Sequence, residues 1–136
     1  MRQPALSFRK APSSHDAPCR RYIYGEVALG ELNESFWSGT AVWRPADYKR
    51  QWRTAAQHCL ELRVPVLFYK DVGPRASAAY HVVPIATGLL VFEQIRRGSH
   101  RPFTDDCAAR ALVRDRKRLS SWAAPVAALR SLVSAI

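Results

Sequence analysis

The strongest constraint on the fold of this chain lies between Trp43 and Leu62, W-R-P-A-D-Y-K-R-Q-W-R-T-A-A-Q-H-C-L-E-L. Tyr48, Trp52, Ala55, Ala56, Cys59 and Leu60 recur in steps of three and four, which gathers them on one side of a helix. Lys49, Arg50, Arg53, Gln57 and Glu61 take the other side. Pro45 suits the first helical position, where its missing N–H has no partner to lose, and Asp47 sets a carboxylate against the positive end of the helix dipole. At the far end Pro65 biases Val64 toward an extended backbone, so the helix should stop near Arg63. Such a helix buries one face only against something else, and the flanking segments must supply it.

Those segments read as strands. Tyr22, Tyr24, Glu26 and Ala28 alternate with Ile23, Val27 and Leu29 across Gly25, and Gly30-Glu31 has the chemistry of a hairpin turn. Leu32 to Ser38 returns, but Leu32, Ser35 and Trp37 do not alternate strictly with Asn33, Glu34 and Phe36, which leaves the pairing register open. Gly39 ends that strand. After the helix, Val64 to Lys70 is β-branched and aromatic, Asp71-Val72-Gly73-Pro74 is a turn, and Ala79 to Ile85 and Leu89 to Arg96 form two further strands joined through Thr87-Gly88. Residues 97–118 show no sustained period and read as a long connection, with a short helical turn near Cys107 to Leu112. Leu119 to Trp122 reads as a brief strand. Pro125 to Ile136 closes the chain as a helix with Val126, Leu129, Leu132, Val133 and Ile136 on one face. The expected fold class is α+β: an antiparallel sheet, made of an N-terminal hairpin plus a three-stranded meander, packed by a central amphipathic helix and a C-terminal helix.

With 136 residues the chain fits a single domain, expected over residues 21–136. Pro4, Pro12, Pro18 and scattered apolar residues make residues 1–20 an expected mobile basic tail. The net charge of +10 is not spread evenly: residues 1–21 carry +4, residues 22–95 sum to zero, residues 96–118 carry +5, and Arg130 adds the last unit. Cys19, Cys59 and Cys107 include no C-x-x-C pair, and Cys59 on the apolar helix face reads as a reduced core thiol, which points to a reducing compartment. Neither a membrane-spanning apolar run nor a secretory signal is visible, so the expectation is a cytoplasmic protein without a membrane partner.

Little in the sequence asks for catalysis. His15, His58, His81 and His100 are far apart, and none sits at a spacing that would assemble a metal site with another His, Cys or carboxylate. His58 and Cys59 are adjacent and so point about 100° apart on a helix. Asp105-Asp106-Cys107 with His100 could be drawn as a nucleophile and base, but a reactive cysteine needs an ordered electropositive site and this segment reads as loop. Nucleotide-binding, P-loop and hydrolase motifs are lacking. No enzyme, no cofactor and no metal are expected. A small basic nucleic-acid-binding protein is the alternative reading. It calls for cations interleaved with aromatics, whereas Arg96 to Arg118 contains only Phe103 and the tryptophans fall in the neutral body.

One resemblance sharpens the picture. Y-I-Y-G-E-V-A-L-G-E-L-N-E-S-F-W-S, from Tyr22 to Ser38, and W-R-P-A-D-Y-K-R-Q-W-R-T-A, from Trp43 to Ala55, resemble the immunity proteins of bacterial contact-dependent growth inhibition systems, the CdiI family. Gly25, Glu26, Gly30, Glu34, Phe36, Trp43, Asp47, Tyr48, Gln51, Trp52 and Ala55 match that family's pattern, with weaker echoes at Phe92-Glu93-Gln94 and Ser121-Trp122. The resemblance implies a cytoplasmic inhibitor that binds the C-terminal toxin domain of a cognate effector, one to one, and blocks its active site or substrate access. Trp43, Tyr48 and Trp52 have the profile of a core and are assigned to the fold. Partner contact is expected instead on the basic segment, at Arg96, Arg97, His100, Arg101, Arg114 and Arg116, where charge would steer an acidic surface.

Overall fold

Helix α1 spans Pro45–Leu62, as its periodicity and Pro45 require. Its start is capped by Asp47, whose Oδ2 accepts the Arg44 N–H at 2.9 Å. Its end is less conventional: Arg63 adopts a left-handed conformation (φ 52°) and donates its N–H to the Cys59 carbonyl at 2.9 Å, a stop that glycine usually provides.

The computed structural model describes residues 3–9, 22–97 and 121–136. Around α1 stand strands β1 (Ala5–Arg9), β2 (Tyr22–Leu29), β3 (Leu32–Gly39), β4 (Val66–Val72), β5 (Ala76–Ile85), β6 (Gly88–Arg97) and β7 (Ser121–Ala124), followed by helix α2 (Val126–Ala135). The α+β class is as expected. The hairpin and the meander form two antiparallel sheets, in the orders β1-β2-β3 and β4-β5-β6-β7. Each has gained an outer strand. On the meander side it is β7, pairing Val91 with Trp122.

On the hairpin side β1 corrects the expectation of a mobile tail through residue 20. Ala5–Arg9 pairs along β2 from Ala5↔Ala28 to Arg9↔Tyr24. Its alternation places Leu6, only 4% exposed, opposite Val27, and Phe8 opposite Gly25, so two apolar side chains outweigh the disorder-prone composition around them. Residues 10–20 lie outside the described residues.

The β2–β3 hairpin closes with Leu29 opposite Leu32 around Gly30-Glu31, with Gly30 at φ +58°. Its register explains the broken alternation. Leu32, Glu34, Phe36 and Ser38 share the inner face; the residue that spoils the apolar pattern is Glu34, whose Oε1 accepts the Tyr80 hydroxyl at 2.6 Å. Gly25 leaves room for Phe36, since a Cβ there would stand 2.5 Å from the ring.

Strand β3 crosses the larger sheet from one edge to the other. At its start, Glu31 exchanges hydrogen bonds with Ala123 of β7: the Glu31 N–H donates to Ala123 O at 2.9 Å and the Ala123 N–H to Glu31 Oε1 at 3.2 Å. At its end, the Gly39 N–H donates to Asp71 Oδ1 of β4 at 2.8 Å, and the Ser38 hydroxyl donates to the Lys70 carbonyl. Between the two sheets and the two helices lies the larger core cluster, with Val27, Leu29, Leu32 and Phe36 meeting Phe68, Tyr80, Val82 and Val91, closed by Trp52, Ala56 and Cys59 of α1 and Leu129 and Leu132 of α2, while Trp43, Tyr48, Leu67, Tyr69, Val72 and Ala79 form a smaller one.

Candidate functional site

Several polar side chains of α1 are spent on holding the body together. Strand β4 is an edge strand, and an edge leaves a row of unpaired N–H and C=O groups. Helix α1 lies over that row. Gln51, 3% exposed, donates Nε2 to Leu67 O at 2.7 Å and accepts the Tyr69 N–H on Oε1 at 3.0 Å, so its amide stands in for a missing strand. Trp52 Nε1 donates to Tyr69 O at 2.6 Å. The Tyr48 hydroxyl accepts the Val72 N–H at 2.9 Å and donates to Gly39 O at 2.7 Å, tying the end of β4 to the end of β3. A register shift between Tyr69 and Asp71 keeps Val72 in phase with this row. Trp43 packs edge-on against Tyr48 and Tyr69, with ring centroids 5.2 and 6.1 Å away. Trp43, Tyr48 and Trp52 are thus fold residues, as their sequence profile implies.

A second polar chain runs through the core. Tyr80 donates to Glu34, the Lys70 ammonium sits 4.6 Å from the centre of the Tyr80 ring, and Lys70 pairs with Glu93. Burial, reinforced by the Glu34 hydrogen bond, holds the Tyr80 phenol protonated far beyond its usual range. Tyr48 is likewise raised, chiefly by burial. The Cys59 thiol is pushed up to about 11 by burial, with Arg63 opposing, so at neutral pH it is a packed thiol and not a nucleophile. His81 is fully buried opposite Leu67 and Phe92. Among the described residues no three His, Cys, Asp or Glu side chains gather as a metal site would require. Asp105, Asp106, Cys107 and His100 lie outside the described residues, as does the expected helical turn near Cys107.

The open region is at the far end of β4. A pocket of about 440 Å³ there is lined by Tyr22, Gly39 and Ala41 and by the turn from Asp71 to Ala76. The turn is closed by the Gly73 N–H donating to Ala76 O at 3.0 Å, and it leaves Pro74 and Arg75 exposed. Val42, 50% exposed, follows one residue after Ala41 in the pocket wall. Strand β6 ends beside it: Arg96 and Arg97 pair through their backbones with Ser77 and Ala76. Of the six residues expected from the sequence to contact a partner, these two are therefore placed by their backbone at the pocket end of the sheet. His100, Arg101, Arg114 and Arg116 lie outside the described residues. Sequence reasoning misses Arg75 and the pocket because its walls come from separate stretches; the one local signal is a cation directly after the Gly73-Pro74 turn.

No protein-family model matches the chain, and no curated protein matches it. Among solved structures, it is similar to a chain of the CdiA-CT/CdiI toxin and immunity complex from Enterobacter cloacae, with a TM-score of 0.70 at 10% sequence identity, over 96% of this chain and 96% of that one. At that identity the likeness is one of fold. No described helix is long and apolar enough to cross a membrane.

Proposed function

We propose that this chain is an immunity protein of a contact-dependent growth inhibition system, a one-to-one inhibitor that covers the C-terminal toxin domain of its cognate effector and blocks the active site or the path of substrate. The observation that carries this reading is the fold shared, nearly end to end, with a chain of a toxin and immunity complex. The matching residues of the sequence pattern add to it, because nearly all of them do identifiable work in the fold. Gly25 admits Phe36, Gly30 turns the hairpin, Asp47 caps α1, and Tyr48, Gln51 and Trp52 close the β4 edge.

In this reading the chain acts by surface contact; burial keeps the Tyr48 and Tyr80 phenols and the Cys59 thiol protonated at neutral pH, which suits them to packing. The basic segment supplies encounter with an acidic toxin surface, with Arg96, Arg97, His100, Arg101, Arg114 and Arg116 as the contacting residues. A toxin that acts inside the cell places its inhibitor in the cytoplasm. The nucleic-acid alternative is less favoured, because Trp43, Tyr48, Trp52, Phe68, Tyr69 and Tyr80 are all buried and cannot serve as stacking platforms.

Co-expression decides the matter. Producing the C-terminal toxin domain of the cognate effector should arrest growth, and adding this chain should restore it. Arrest that persists despite soluble, folded chain would refute the proposal.

A further inference from the structure

Among the described residues, three regions outside the core stand out as places that could receive a partner: the small cleft between α1 and α2, the outer face of the β1-β2-β3 sheet, and the pocket at the end of β4. The cleft holds only about 30 Å³ between Cys59, Arg63, Leu129 and Arg130, too little for a side chain. On the outer face, the exposed cation is already engaged, Arg9 pairing with Glu26 at 2.6 Å and standing 5.3 Å from the Tyr24 ring centre. The pocket differs from both. Its volume falls within the roughly 300–1,000 Å³ of cavities that enclose a ligand or a partner's anchoring side chains.

Its chemistry names the occupant. The lining is mostly apolar or small, from Ala41, Val72, Pro74 and Ala76, with Tyr22 beside them. Asp71 is held at the pocket edge by the Gly39 N–H, which donates to its Oδ1 at 2.8 Å. Arg75 stands exposed on the rim, with no ion pair to a described residue, and the backbone of β6 runs alongside Ala76 as it enters the strongly basic segment. An apolar hollow with a cation on its rim thus lies where the neutral body passes into the part of the sequence that carries +5.

Resting on the immunity reading above, we infer that this pocket is the fixed anchor point of the toxin interface: it takes a large apolar or aromatic side chain from an acidic protein surface, while Arg75 pairs with a carboxylate beside that anchor. Buried anchors ringed by charge are how interfaces concentrate affinity at the centre and selectivity at the rim. The division of labour is specific. The rim sets the association rate, and the hollow sets the lifetime of the complex.

The test is association kinetics of the full chain with the purified toxin domain of its cognate effector. Arg75→Glu should slow association about tenfold at low salt, with the difference shrinking at high salt as charges are screened. Arg130→Glu, exposed beside the separate cleft between α1 and α2, makes the same change in net charge and should slow it far less. Ala41→Trp fills the hollow from an exposed position and should speed dissociation about tenfold or more with the melting temperature unchanged. If the parent binds and both Arg75→Glu and Ala41→Trp bind like it, the pocket is outside the interface and this inference falls while the immunity reading stands. If the folded parent does not bind the toxin domain, both fall.

Discussion

Two parts of one strand show how differently this chain uses its polar groups. Along the edge of β4, the backbone groups of Leu67, Tyr69, Lys70 and Val72 are all taken by Gln51, Trp52, Ser38 and Tyr48. At the end of β4, the stretch from Asp71 to Ala76 borders an open pocket with an exposed cation on its rim. The closed edge explains why D-Y-x-x-Q-W can be read in the sequence at all: each of those side chains answers a fixed demand of the backbone. At the open end Pro74 and Arg75 answer no such demand, and exposed positions relieved of structural duty can be shaped to a partner.

Substitutions should separate the two parts by size of effect. Trp52→Ala removes a fully buried ring that stacks 4.7 Å from Phe68 and donates to Tyr69 O, and should cost about 3–5 kcal/mol, seen as loss of most of the cooperative urea transition. A variant that melts like the parent would mean that the closed edge is not what holds the body. Gln51→Leu keeps the bulk but orphans Leu67 O and the Tyr69 N–H, with an expected loss of about 2–4 kcal/mol by chemical denaturation. A loss near zero would show that water replaces the amide and that the edge is looser than drawn.

Alkali should also find the closed part first. The folded state holds the Cys59 proton more tightly than the unfolded chain does, so its contribution to stability is complete below the usual thiol value of 9.0 and is lost as pH rises toward about 11. Tyr48 and Tyr80, raised in the same sense, extend the decline to higher pH. Urea midpoints should therefore be flat through neutrality and fall above pH 9.0, with a shallower fall between there and about 11 for Cys59→Ala. An identical slope in that variant would clear Cys59 of the effect. Arg63→Gly should act the other way, adding about 1 kcal/mol by relieving the left-handed backbone at the end of α1. At the open end, Arg75→Glu should leave the melting transition within about 0.5 kcal/mol of the parent, as expected for an exposed side chain without a structural partner among the described residues.

The same contrast sets what can be read from the sequence. Helix α1 is legible because its period, Pro45 and Asp47 are local signals that agree. The hairpin turn at Gly30 and the strands β4 to β6 are legible for the same reason, within a few residues. Strand β1 is hidden: Leu6 and Phe8 are only two apolar positions among Pro, Ser and Arg, and their worth depends on Val27 and Gly25 across the sheet. Glu34 reads as a flaw in a strand because its partner, Tyr80, is 46 residues away. Gln51 is visible in the resemblance but not as the substitute for a missing strand. The pocket is beyond sequence reasoning altogether, since Tyr22, Gly39, Ala41 and the Asp71 to Ala76 turn come together only in the folded chain.

In the proposed reading this body is scaffold for a surface that silences another protein by covering it. Titrating the purified chain into the purified toxin domain, while following the toxin's own activity, tests it most directly. Inhibition should rise linearly and be complete at one equivalent, with no turnover by the chain alone. Full toxin activity in the presence of a large excess of folded chain would contradict this reading.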